Sequence, residues 1–315
     1  MIRSTFLAVS APLLAASLRL PVSAQTPAPL NLRVAATAND TYASAYFAQD
    51  MGFFTRAGLN VDLETMNNGA AIAAALSAGS MDVGVATPII LGNAILHGLP
   101  IVIVAAGAIS VSGTTSVALC VAANSPLKTP KDFEGKTIAV NGLHSGTEVN
   151  LEAWLSQGGS DVSKVKLLEI NFSAMGQALE TARIDGAVMT EPAMTVAIGS
   201  NNTKILVDLD KVVGRAYVNS CWFAMHDFAQ KNPELVRRFQ SALYAAQKWA
   251  NGHHNESADI LAKYSKMDVD LVRRMNRTTY AEGLRVADIQ TFLDFGTKYG
   301  LLAKPVSAAA LVYHP

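Results

Sequence analysis

The sequence predicts an α/β protein of two similar lobes joined by two hinge strands, and three observations carry that prediction. Short apolar strands alternate with small-residue helices along most of the chain, the pattern of a mostly parallel sheet. The stretch Ala75-Leu76-x5-Asp82-x2-Val85-x-Thr87 recurs 103 residues later as Ala178-Leu179-x5-Asp185-x2-Val188-x-Thr190, with Arg33 to Ala36 in phase with Lys136 to Ala139. Two longer apolar strands, at 115–123 and 217–225, border the second unit and supply two crossings between the lobes. Ligands of open α/β sheets bind beyond the carboxyl ends of the strands, so a cleft between the lobes is expected.

The elements follow in order. Met1-Ile2-Arg3 with the apolar run from Phe6 to Leu18 and Val22-Ser23-Ala24 reads as a signal peptide over 1–24, cleaved after Ala24. A Thr-Pro-Ala-Pro tether occupies 25–31. Leu32 to Ala36 reads as a buried strand, Thr37 to Thr41 as a polar loop, and Tyr42 to Phe54 as a helix. A strand at 61–64 and a helix at 69–78 capped by Gly79 come next. They are followed by a strand at 82–86, a helix opened by Pro88 and a strand at 101–105. The second unit repeats this scheme with strands at 135–140, 165–170, 186–189 and 204–207. Its helices fall at 146–157 and 173–183, with a short one from Glu191. The remainder after 225 is helical, led by Pro233. Lobe 1 is thus expected over 32–116 plus 222–315 and lobe 2 over 117–221.

With 315 residues the chain is long enough for two domains, each with its own core. Cleavage after Ala24 removes Arg3 and Arg19 and leaves 23 basic residues against 25 acidic ones, scattered without a basic run. A nucleic-acid partner would need a concentrated basic face, so none is expected. No later apolar run reaches the roughly 18 residues of a transmembrane helix, so the mature chain reads as exported, soluble and monomeric. No His-Glu-x-x-His, Cys-x-x-Cys or clustered carboxylate pattern occurs, which predicts no metal and no cofactor. No Ser/His/Asp set is visible either, so an enzyme is not expected. Cys120 and Cys221 are the two cysteines, one in each expected hinge strand. In an oxidising compartment they could form a disulfide across the hinge or remain buried thiols.

Four ordered motifs resemble one family. They are Phe47-Ala-Gln-Asp-Met-Gly-Phe-Phe54 with Gly58-Leu-Asn-Val61; Ala75-Leu76-x2-Gly79-x2-Asp82-Val83-Gly84; Leu127-Lys-Thr-Pro-Lys-Asp-Phe-Glu-Gly-Lys-Thr-Ile-Ala-Val140; and Asp185-Gly-Ala187 with Glu191-Pro192. Together they are similar to extracytoplasmic solute-binding proteins of the nitrate/sulfonate/taurine and thiamine-pyrimidine-precursor group. The resemblance covers nearly all of the mature chain. It implies a type II periplasmic-binding-protein fold and delivery of a solute to an ABC permease in the inner membrane. Enzymes on the same fold and a sensor partner of a membrane kinase are the competing classes.

The site is read from strand ends. His144-Ser145-Gly146-Thr147 lies between a strand and a helix, where free N–H groups and hydroxyls suit an anion such as a sulfonate. Ser145 could equally serve only as an N-cap with Glu148 as its capping-box partner. The resemblance carries ligand contact over to Ser145, Gly146 and Thr147. Asn39 and Tyr42 should face that loop, Tyr42 either as a stacking wall or as core, while Asn39 and Asp40 could equally be ordinary turn residues. Asn68 and Thr87 end first-lobe segments. Glu191 follows Thr190 as an extra carboxylate that would suit a ligand bearing an amine or another N–H, or equally as an exposed first-turn helix acid. Among the arginines only Arg215, near the second hinge strand, could reach the site. The leading ligand is a small organic anion of the sulfonate or taurine kind, the alternative a heteroaromatic such as a thiamine-precursor pyrimidine.

Overall fold

The structure, a computed structural model, describes Met1 and residues 28–111, 114–214 and 216–314. The expected signal peptide, its cleavage site after Ala24 and Arg215 lie outside the described residues. The first strand begins at Leu30, within the expected tether, and the strands in order are β1 (Leu30–Ala36), β2 (Leu59–Thr65), β3 (Val83–Ala86), β4 (Ile101–Ala106) and β5 (Ala108–Val111). There follow β6 (Val117–Ala122), β7 (Thr137–Val140), β8 (Lys166–Glu169), β9 (Gly186–Thr190) and β10 (Thr203–Asp208). The last strands are β11 (Ala216–Val218), β12 (Cys221–Met225) and β13 (Thr279–Tyr280).

The sheets explain the sequence repeat. Their orders, β2-β1-β3-β12-β4 and β8-β7-β9-β6-β10, are the same pattern used twice. In each, the first three strands are parallel and the fourth runs antiparallel to both neighbours. The antiparallel member is in each case the first strand of its sheet laid down after the chain has crossed from the other lobe. The repeated aspartates hold equivalent places. Asp82 Oδ2 accepts the Arg33 backbone N–H at 2.9 Å, and Asp185 Oδ2 accepts that of Thr137 at 2.9 Å. Ion pairs Arg33–Asp82 at 2.6 Å and Lys136–Asp185 at 3.6 Å accompany them. The repeat's Asp is therefore a clamp between adjacent strand ends and takes no part in the cleft.

Three expectations change. The helix predicted over 42–54 is a short 3-10 turn, Asp40–Tyr42, and two helices, Ser44–Asp50 and Phe53–Arg56, because Gly52 at φ 69° breaks the run. The long strand predicted over 217–225 is two strands in different sheets. It breaks at Ser220, whose Oγ accepts the Ala108 N–H at 2.8 Å and donates to the Thr41 carbonyl at 2.8 Å. A small sheet of order β11-β5-β13 stands at the crossings instead. Cys120 and Cys221 are both free and buried, one on β6 in the second lobe's sheet and one on β12 in the first lobe's, so they do not form the disulfide.

Each lobe has its own core. Trp222, Tyr46, Phe47 and Phe239 centre the first, which the helix Pro233–Gly252 completes with a stripe of Leu235, Phe239, Leu243 and Ala246. The second sheet is covered on both faces. Met175, Leu179 and Met194 pack on one, and Phe133, Leu151 and Leu155 on the other. No helix among the described residues is long and apolar enough to cross a membrane.

Candidate functional site

Three helices begin at the cleft, and the sequence explains each start. Asn68 caps the helix Gly69–Ser77 by accepting the Ala71 N–H at 2.9 Å. Thr87 caps the helix Pro88–Leu96, whose first residue, proline, has no N–H to lose. Ser145 precedes the helix Gly146–Gln157, but its hydroxyl makes no cap bond and pairs with the Thr147 hydroxyl at 2.9 Å. The expected Ser145 cap is thus not made: the Glu148 carboxylate accepts the N–H of His144, one residue before the cap, while the Ser145 hydroxyl is left for the cleft. Burial raises the Glu148 pKa, and the N–H groups of His144 and Ser145 work against that rise.

Between the lobes these starts enclose a small cavity. Asn39, Tyr42, Asn68 and Thr87 border it from the first lobe, and Ser145, Gly146 and Thr147 from the second. Seven of the nine residues expected at the site are therefore brought together. The backbone N–H groups of Gly69, Ala70, Gly146 and Thr147 have no partner among the described residues. Three further lining side chains carry buried polar atoms without a partner among the described residues, Asn141 Nδ2, Asn150 Oδ1 and Thr190 Oγ1. Among the described residues, no ionisable acid or base other than the Tyr42 phenol lines this cavity. Burial pushes that phenol well above its ordinary pKa, so it stays neutral. Helix dipoles and N–H donors thus face a neutral, partly aromatic space, which favours an anion without a compensating cation.

The other two expected residues are placed differently. His144 is exposed, at φ 53°, and does not border the cavity; only its N–H acts, as the donor to Glu148. Glu191 borders a second, outer cavity of about 970 Å³ that shares Asn39, Asn141, Phe172 and Thr190 with the inner one. Both of its carboxylate oxygens are engaged: Oε2 accepts the Thr195 N–H at 3.0 Å and Oε1 the Thr195 hydroxyl at 2.9 Å. It caps the helix Ala193–Gly199 while being only 3% exposed. Burial first, then the nearby Asp40 charge, push its pKa up to about 7.

Residues that sequence reasoning passed over tie the cleft together. Asp40 is buried and pairs with Arg277 at 2.8 Å. It also accepts the Thr278 N–H at 2.6 Å. Its own N–H donates to the Glu191 carbonyl at 3.1 Å, a bond from one lobe to the other. Asn150 and Asn219 border the inner cavity and belong to buried networks of their own. A buried Asp with an Arg more than 200 positions away leaves no local pattern to read. Among the described residues no group of three His, Cys, Asp or Glu could hold a metal.

Comparison with known proteins agrees with this geometry. The taurine-binding periplasmic protein of Escherichia coli K12 is 30% identical over 202 residues, which cover 63% of this chain and 60% of that protein. The solved alkanesulfonate-binding protein SsuA of Xanthomonas axonopodis pv. citri, bound to MOPS, superposes with a TM-score of 0.76 at 18% identity. That match covers 92% of this chain and 100% of SsuA. The desulfurization enzyme DSZB has the same fold, with a TM-score of 0.66 at 15% identity over 90% of this chain and 96% of its own. The NMT1/THI5 like family matches residues 39–257, which span the helix starts that build the cavity. By that match, and with the periplasmic-binding-protein fold around it, this chain belongs to the NMT1/THI5 like family.

Proposed function

We propose that the protein is an exported solute receptor that captures a small organic anion, of the sulfonate kind, between its lobes and delivers it to an ABC permease. The observation that carries this reading is the convergence of three helix starts on one cavity that holds unpaired N–H groups and no fixed charge. Such donors stabilise an anion through many weak dipoles, and they suit a singly charged head better than a bulky dianion. The taurine-binding and sulfonate-binding relatives support the ligand class. In this reading the lobes are 32–116 plus 222–315 and 117–221, with the small sheet of β5, β11 and β13 as the hinge.

Binding rather than turnover is favoured by the state of the nucleophiles. Burial pushes the Cys120 thiol up to about 12 and raises Cys221 still further, so neither is a ready thiolate. The Ser145 hydroxyl pairs with another hydroxyl and not with a base. A second reading, a neutral heteroaromatic ligand, rests on Tyr42 and Phe172, which both border the cavity.

Thermal unfolding of the protein with ethanesulfonate, butyrate and an aminopyrimidine separates the two. A bound anion at 100 times its dissociation constant adds about 2.7 kcal/mol. Stabilisation by the sulfonate, weakened in Thr190→Val, is the expected result. Stabilisation by the pyrimidine alone would overturn the anion reading.

A further inference from the structure

Asp210 is buried between the two crossings and gathers donors from both. Its Oδ2 accepts the Ser116 N–H at 2.7 Å, the Ser116 hydroxyl at 2.8 Å and the Val117 N–H at 3.0 Å. Its Oδ1 accepts the Tyr217 hydroxyl at 2.8 Å. A carboxylate has no proton to give, so the single hydrogen of Tyr217 is committed to Asp210. The Tyr217 oxygen can then only accept, and it does so from Asn150 Nδ2 at 3.1 Å. This fixes which way round the Asn150 amide sits. Its Oδ1 is the end turned away from Tyr217, and it has no partner among the described residues although Asn150 is 1% exposed and borders the inner cavity.

An unpaired carbonyl oxygen in that place is out of keeping with its surroundings. The remaining unpaired groups, the helix-start N–H groups and Asn141 Nδ2, are donors, and Thr190 Oγ1 can serve as one. They suit an anionic head; a fixed acceptor beside the same head would oppose it. A buried acceptor left without a hydrogen costs the full desolvation of that group, so the site is complete only when something supplies a hydrogen there. We infer that Asn150, held by Tyr217 and Asp210, is the specificity-determining residue that reads an N–H on the ligand, selecting anions that carry their own amine or amide. The inference rests on the anion-receptor reading of the cleft and narrows it to amino-sulfonates or amino-carboxylates. It also moves the recognition of an amine from Glu191, whose oxygens Thr195 occupies, to the inner cavity.

Calorimetric titration with taurine and with ethanesulfonate, which lacks the nitrogen, tests it. The purified protein should bind taurine roughly tenfold or more tighter than ethanesulfonate, the range of a hydrogen bond to a charged group. Asn150→Leu should bring that ratio close to one, while Asn150→Asp, which keeps an acceptor, should preserve or enlarge it. Tyr217→Phe keeps the ring against Phe292, at 4.6 Å between centroids, but frees the amide to turn, and should also lower the ratio. It serves if Asn150→Leu does not fold. Equal affinity of the unaltered protein for the two sulfonates, or an equal loss of both in the variants, overturns the inference and leaves the anion reading standing. Failure of both sulfonates, and of β-alanine and propionate, to bind at all overturns the anion reading and this inference with it.

Discussion

At the scale of single residues, Glu191 makes the protein's stability depend on pH in a direction opposite to most acids. Its carboxyl is pushed from an ordinary 4.5 up to about 7, first by burial and then by Asp40. Protonation therefore favours the folded state, and the stabilisation is full below about 4.5 and lost as pH rises through about 7. The shift corresponds to at most on the order of 3 kcal/mol. Glu152, also raised to about 7 by burial and by Glu148, adds to the same trend. In urea titrations at pH 5 and pH 8 the unaltered protein should lose stability between the two, and Glu191→Gln should lose measurably less. Identical losses would show that Glu191 is not the titrating group. The sequence made Glu191 conspicuous as an extra carboxylate after the repeat, yet its real partner is Thr195 four residues on, a local cap. Asn150 was invisible for the opposite reason: a polar residue inside a helix reads as surface until the fold puts Tyr217 beside it.

At the scale of elements, the start of the helix Gly146–Gln157 sets how closely the lobes approach. A Cβ on Gly146 would lie 3.0 Å from Thr87 Cγ2 and 3.1 Å from the Phe292 ring, both first-lobe side chains. Only a residue without a side chain lets the two helix starts come together over a ligand. Gly146 lies at the first position of its helix, so alanine there costs the isolated helix nothing. Gly146→Ala should leave the unfolding free energy of the ligand-free protein within about 0.5 kcal/mol of the original. Ligand affinity should fall roughly tenfold, because contacts of a tenth to a few tenths of an ångström too close must be relieved on closing. Unchanged affinity in a calorimetric titration would mean that the lobes do not need this approach. The strands and helices that build this junction were legible, since Asn68, Thr87 and Ser145 are residue types that precede helices, although only Asn68 and Thr87 make the cap bond, and Pro88 marks a first turn. The two-residue strand β13, with no length to carry a pattern, was not. Nor was the break at Ser220, which depends on a hydroxyl bonding to Ala108 and Thr41, far away in sequence.

At the scale of the whole molecule, Asp210 joins the two crossings to the cavity, and its charge sets the sense of every hydrogen bond in the chain of contacts. Asp210→Asn keeps the shape and removes the charge. The amide oxygen must stay with the Ser116 and Val117 N–H groups, since an NH2 there would oppose two donors. The NH2 group then faces Tyr217, which has to accept there and is free to turn its own hydrogen toward Asn150. Asn150 can satisfy that hydrogen only by reversing its amide, which would put Nδ2 where Oδ1 had been. One substitution outside the cavity lining therefore inverts the group presented to the ligand. The charge-assisted bonds to Ser116 and Val117 become ordinary ones, at a cost of about 1–3 kcal/mol in global stability. Taurine should lose its advantage over ethanesulfonate as completely as in Asn150→Leu, and two-state urea unfolding should place the stability loss within that range. A variant that loses stability but keeps its preference for taurine would uncouple the crossings from the site, and Asp210 would then be a hinge brace alone.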